Sequence, residues 1–310
     1  MEQMGSATVQ ASLPPEEHRT QSWTSVRTHV SAKPRGRLLY AVFQLALVQA
    51  SRGVWFYIVL AAAVLAGGAL AYAAAGIPGL DAANRFRNSL YSLMGLSSYL
   101  LPLLGLLVGA LDLAGDQEAG MLHLLAAQPG YRYQIILGKY LGLATLLILT
   151  SVAMVSSAGL ALAVRGLLFP YEALLGFCGL AVALTALHLG LGLAIGSLSS
   201  SRLTALVAAL ALWLSATFLY DLAIFTLLGW GAAGQLPAML ALALIVNPLD
   251  AFRLLTLMLM DSLTALGPSA AALLRMVPPL WAAVALSFDL LLWIGGSLLA
   301  ATLSLARRDL

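Results

Sequence analysis

The chain has 310 residues, of which 61% are hydrophobic and only 9% charged, and its mean hydropathy is +0.93. Soluble domains carry about 25% charged residues, so a globular cytosolic protein is excluded. The net charge of +3, with no basic cluster interleaved with aromatics, gives no footing for a nucleic-acid partner.

Residues 1–37 are rich in Ser, Thr, Pro and charge and read as a disordered cytoplasmic tail. They lack the apolar core of a secretory signal. Residues 38–53 follow as an amphipathic helix. Arg37, Gln44, Ser51 and Arg52 gather on one side, with Leu39, Phe43, Leu47 and Ala50 opposite. Such a helix lies in the membrane surface, or forms the lower end of the first span.

Apolar runs long enough to cross the ~30 Å hydrocarbon layer then recur. They predict an all-α polytopic membrane protein with six spans: Val54–Ala75, Leu90–Leu111, Tyr140–Val164, Ala173–Ser197, Leu203–Leu228 and Trp281–Ala306. An even number of spans places both termini on one side. Taking that side as the cytoplasm puts eleven of the sixteen Lys and Arg residues inside, as the positive-inside rule requires.

Between the second and third spans lies a compact polar stretch, GDQEAGMLHLLAAQPGYRYQIILGKYLG, residues 115–142. Gly115 is expected to break the preceding helix, which sets Asp116 and Glu118 where negative charge favours a new helix N-terminus. Met121, Leu124, Leu125 and Gln128 share one face, and Pro129–Gly130 stops the helix. An uncovered apolar stripe in water is costly. It folds back onto the membrane surface, or it docks into a groove on a soluble partner.

The fourth span carries His188 and the fifth Asp221. Residues 229–280 form the longest connection. Within it LPAMLALALIV is too short to cross and reads as re-entrant or interfacial. NPLDAFRLLTLMLMDSL opens with Asn247 as an N-cap, Pro248 at the first helical position and Asp250 in the first turn, so a helix starts sharply there and runs to about Ser262. Arg253 lies within it, and Pro278–Pro279 resets direction before the sixth span, which holds Asp289. No repeat and no strand is apparent.

Ionisable groups in a membrane are functional candidates. Opposite span directions bring Asp221 and Asp289 to similar depth on the outer side, where an outward vestibule with Arg253 or Arg275 is one reading. A hydrogen bond from each carboxylate to a neighbouring residue is the other. His188 lies about 11 Å deeper, which makes a His–Asp relay a poor fit and a bond to another helix the better one. Met258 and Met260 are soft groups, but at i, i+2 they do not share a helix face, and no metal site is expected. The single cysteine, Cys178, falls in the fourth span.

The polar stretch resembles the coupling segment of ABC-2 type permeases. The matching residues are Asp116–Gln117–Glu118–Ala119–Gly120, Leu122, Leu124–Leu125, Pro129, Arg132 and Gly138–Lys139. Asp112 and the run Asn247–Pro248–Leu249–Asp250–Ala251–Phe252–Arg253 extend the resemblance to the subgroup of permeases linked to maturation of nitrous oxide reductase. It covers residues 38–310. Met121–Leu122–His123 and Gly130–Tyr131 depart from the family pattern but keep the apolar face.

The resemblance implies a homodimeric permease in a prokaryotic inner membrane, in contact with lipid. It further implies a separate ABC ATPase subunit, holding ATP and Mg, that grips the coupling helix, and a periplasmic accessory protein. It also implies a sulfur- or copper-related cargo for a copper enzyme. The chain itself carries no P-loop; GYRYQIILGKY has the wrong glycine spacing and Tyr140 where Ser or Thr is needed. No catalytic residue and no cofactor of its own is expected.

Three other readings use the same residues. An ion-coupled secondary transporter would act through Asp221 and Asp289, though it lacks the usual inverted repeats. A membrane anchor for a soluble partner would need only the apolar stripe. An intramembrane serine protease would need a second glycine around Ser97–Ser98 that GLSSY does not supply.

Overall fold

The computed structural model describes residues 37–128, 130–167, 170–230, 245–260 and 277–307. Among them no strand occurs, and six helical spans are long and apolar enough to cross a membrane. In chain order the elements are α1 (Arg37–Ser51), α2 (Val54–Ala75), α3 (Ala82–Glu118), α4 (Met121–Ala126), α5 (Arg132–Val164) and α6 (Tyr171–Leu198). There follow α7 (Arg202–Leu214), a π-helical turn (Ser215–Leu219), α8 (Tyr220–Trp230), α9 (Pro248–Leu259) and α10 (Pro279–Ala306). The fifth span is α7, the π turn and the first part of α8. The N-terminal tail, most of the expected re-entrant segment, Asp261 and Arg275 lie outside the described residues.

Lipid tails are as apolar as leucine, so spans associate by close backbone approach and interhelical hydrogen bonds. Gly105 and Gly109 of α3 face Gly192 and Gly196 of α6. A Cβ on Gly109 would sit 2.6 Å from the Leu189 carbonyl oxygen, and one on Gly192 2.5 Å from that of Leu106. Only glycine permits this crossing. Hydroxyls tie α5 to its neighbours: Ser151 to Thr185 across α5 and α6 at 3.0 Å, and Ser157 to the Val64 carbonyl across α5 and α2 at 2.9 Å.

Helix α1 is more than a surface helix. Val42, Ala46 and Ala50 are buried at helical spacing, and this face packs on α5, where Gly138 and Gly142 leave room for the α1 backbone. Tyr40, Leu45 and Val48 stay exposed. The sequence expectation for α1 is thereby refined: one apolar stripe binds protein and a second faces outward.

Candidate functional site

The polar stretch between the second and third spans is the natural place to build from, and its structure departs from the sequence expectation at its start. Helix α3 passes through Gly115 and continues to Glu118. Gly115 lies within the helix beside the Arg202 guanidinium and does not end it. The chain turns instead at Gly120, whose φ of 70° lies in the left-handed region.

Asp116 and Glu118 consequently close α3 and do not open α4. Carboxylates at a helix C-terminus oppose the macrodipole, and each is answered by a cation. Asp112 and Asp116, one turn apart on α3, both reach Lys139 of α5, with Asp116 Oδ2 2.7 Å from Nζ and Asp112 Oδ2 also hydrogen-bonded to it. The Lys139 side chain is only 3% exposed. Glu118 accepts a 2.7 Å hydrogen bond from the backbone N–H of Arg202 and lies 3.8 Å from its Nε. That pair is open to solvent and adds little by itself.

On this base sits α4, six residues long. Leu122 is completely buried with Leu113, Ile135 and Ile136, and Leu125 packs half-buried on the same cluster. Met121 and Leu124 point outward, Leu124 being 64% exposed. Gln128 is exposed beyond the helix end, and Pro129 lies outside the described residues. The helix is thus pinned by one leucine and presents another.

The surrounding helix ends converge here. Arg132, at the start of α5, donates from Nη1 to the carbonyls of Leu305 (3.1 Å) and Ala306 (3.0 Å) in the last turn of α10. Gln117 Nε2 donates to the Ser197 carbonyl of α6 at 3.4 Å. Ser197 and Ser304 share a hydrogen bond between α6 and α10. Named bonds thus tie together the ends of α3, α5, α6, α7 and α10 around α4.

A second polar cluster joins α9 to the fifth span. Asn247 caps α9, its Oδ1 accepting from the Leu249 N–H at 3.2 Å. Its Nδ2 donates to the Ala216 carbonyl inside the π turn at 3.0 Å. Arg253 Nη1 reaches Asp221 (3.1 Å) and Asp250 (3.0 Å). Burial pushes the Asp250 carboxyl up to about 6, against the opposing pull of Arg253.

Other expected residues stand apart. His188 is buried and its Nδ1 donates to the Leu184 carbonyl of its own helix at 2.8 Å, so the bond stays within α6. It borders a cavity of about 150 Å³ shared with Pro102, Thr217 and Asn247. Asp289 lies on the buried face of α10, and its Oδ2 has no hydrogen-bond partner among the described residues. Pro248 begins α9. Met258 packs against α10 while Met260 enters a different core cluster.

Sequence reasoning cited Asp112 and Lys139 only through the family resemblance and never paired them. The i, i+4 spacing of Asp112 and Asp116 on one helix face was the available signal. The π turn had no signal in the sequence.

These features find a frame in known proteins. Residues 55–310 match the model of the ABC-2 family transporter protein. The chain is 32% identical over 287 residues to the probable ABC transporter permease protein NosY of Pseudomonas aeruginosa, covering 90% of this chain and 95% of that protein. It is 30% identical over 295 residues to the protein of the same name from Stutzerimonas stutzeri, covering 93% and 99%. Six spans, the short helix between the second and third, and a family match that runs from the first span to the last residue place this chain in the ABC-2 transporter family, as an integral-membrane permease.

Proposed function

We propose that this permease works as a homodimer with a separate ABC ATPase subunit that binds ATP and Mg, and that α4 is the helix this subunit grips. Both termini and α4 then face the cytoplasm of a prokaryotic inner membrane. The observation that carries the reading is the opposed use of two neighbouring leucines. Leu122 is buried as an anchor, while Leu124 is offered outward on a platform braced by Lys139 and Arg132. Closure of the ATPase would pull on α4, and the braces would pass the motion to the spans.

The subgroup resemblance supports a sulfur- or copper-related cargo used in maturing a copper enzyme of the nitrous oxide reductase type, and a periplasmic accessory protein as a further partner. The ion-coupled alternative is weakened, because Asp221 is held by Arg253 and is not a free carboxylate.

Affinity capture from membranes tests the coupling role. Leu124→Asp removes apolar surface from an exposed site, so the variant should insert normally while recovery of the ATPase subunit falls at least tenfold. Unchanged recovery together with unchanged stimulation of ATP hydrolysis would overturn the proposal.

A further inference from the structure

Next to the buried Lys139, a cleft of about 460 Å³ opens between α1, α2, α3, α5 and the start of α7. Its long wall is Leu104, Leu107, Val108 and Leu111 of α3. From Leu104 to Asp112 this wall extends about 12 Å at the helical rise. Its charged lining groups are Asp112, at the C-terminal end of that wall, and Arg202, and Gln49 and Trp55 line it as well. An apolar slot with a charged end has the shape of an amphiphile.

The charges at that end specify its headgroup. Lys139 is one cation shared by two carboxylates, which leaves a negative charge in excess. Of the two, the Asp112 side chain is the more exposed, at 17% against 10% for Asp116, and it is Asp112 that borders the cleft. Arg202 is 64% exposed, with Glu118 no closer than 3.8 Å to its Nε. A carboxylate and a guanidinium lining one cleft complement a ligand bearing both an ammonium and a phosphate.

The geometry points to a membrane phospholipid with a primary ammonium headgroup, of the phosphatidylethanolamine type, as the occupant of this cleft. One acyl chain lies along Leu104–Leu111, the ammonium donates to Asp112, and the phosphate is met by Arg202. A choline headgroup has no N–H to donate, and a glycerol headgroup brings no cation to Asp112. The lipid would give Asp112 and Arg202 each a partner of opposite charge beneath α4. This site is independent of whether an ATPase grips α4.

The test uses the full chain in nanodiscs containing equal mole fractions of ethanolamine, choline and glycerol phospholipids, one class at a time carrying brominated acyl chains. Quenching of Trp55 is obtained by difference against Trp55→Phe. The ethanolamine lipid should quench at least twice as strongly as either of the others, and Val108→Phe should abolish the preference. Equal quenching by all three classes in the unaltered chain would overturn the proposal, whatever the folding of the variant. So would a disulfide formed in high yield between two copies carrying Val108→Cys in a Cys178→Ala background, which would assign the cleft to a second copy.

Discussion

Two ionic clusters in this permease have the same composition, one cation between two carboxylates, and opposite settings. Lys139 with Asp112 and Asp116 is almost sealed from solvent. Arg253 with Asp221 and Asp250 is looser, its side chain 22% exposed. The first joins two long spans at the root of α4, and the second ties the short helix α9 to a span already interrupted by a π turn. Burial sets what each contributes. A sealed charge depends wholly on its partners, because breaking such a cluster strands charges where water cannot reach. A half-open one can fall back on solvent. The α4 end is therefore the more tightly held of the two, and the α9 end the more open to rearrangement.

The largest effect should come from Lys139→Met, which leaves two buried carboxylates without a cation. A loss of about 3–5 kcal/mol is expected, seen as a collapse of the thermal midpoint in detergent or of membrane yield. Replacing Asp112 and Asp116 with Leu in the same chain should restore much of it. Recovery equal to the single variant would show that the cluster is not the cause. Arg253→Gln should cost less, about 1–2 kcal/mol after allowance for exposure. It should also speed proteolysis or hydrogen exchange in α9 while leaving α3 and α5 protected.

Asn247→Ala removes both the α9 cap and the bond to the π turn, and a cap alone is typically worth about 1 kcal/mol. Hydrogen exchange should rise at residues 215–219 as well as in α9, a joint response that a simple cap would not give. A further effect concerns pH. Because the folded Asp250 carboxyl is raised to about 6 from an ordinary value of 3.8, the folded state binds its proton more readily than the unfolded one. Its ionised form therefore costs stability above pH 6, and this cost fades as pH falls through 6 towards 4. The thermal midpoint of the wild type relative to Asp250→Asn should rise on going from pH 7 to pH 5. A flat or opposite difference would show that solvent or Arg253 fully compensates the charge.

Much of the fold was legible from the sequence because a membrane span announces itself by length. Val54–Ala75 has the same bounds in sequence and structure, and the α9 start at Asn247–Pro248 follows from their cap and first-turn chemistry. The α4 region was legible in kind and misread in detail. Gly115 looks like a helix breaker in isolation, yet α3 runs through it to Glu118. Leu122 and Leu124 are the same residue type two positions apart, and only the position of Ile135 and Ile136 decides which is buried.

Hydropathy and the order of small, polar and capping residues determined the class, the number of spans and the site of the exposed helix, since each depends on a residue and its near neighbours. The tertiary structure decided which charges meet, which glycines are crossings and where a span is interrupted. Those outcomes depend on the rotation of one helix against another, a quantity that no single helix encodes.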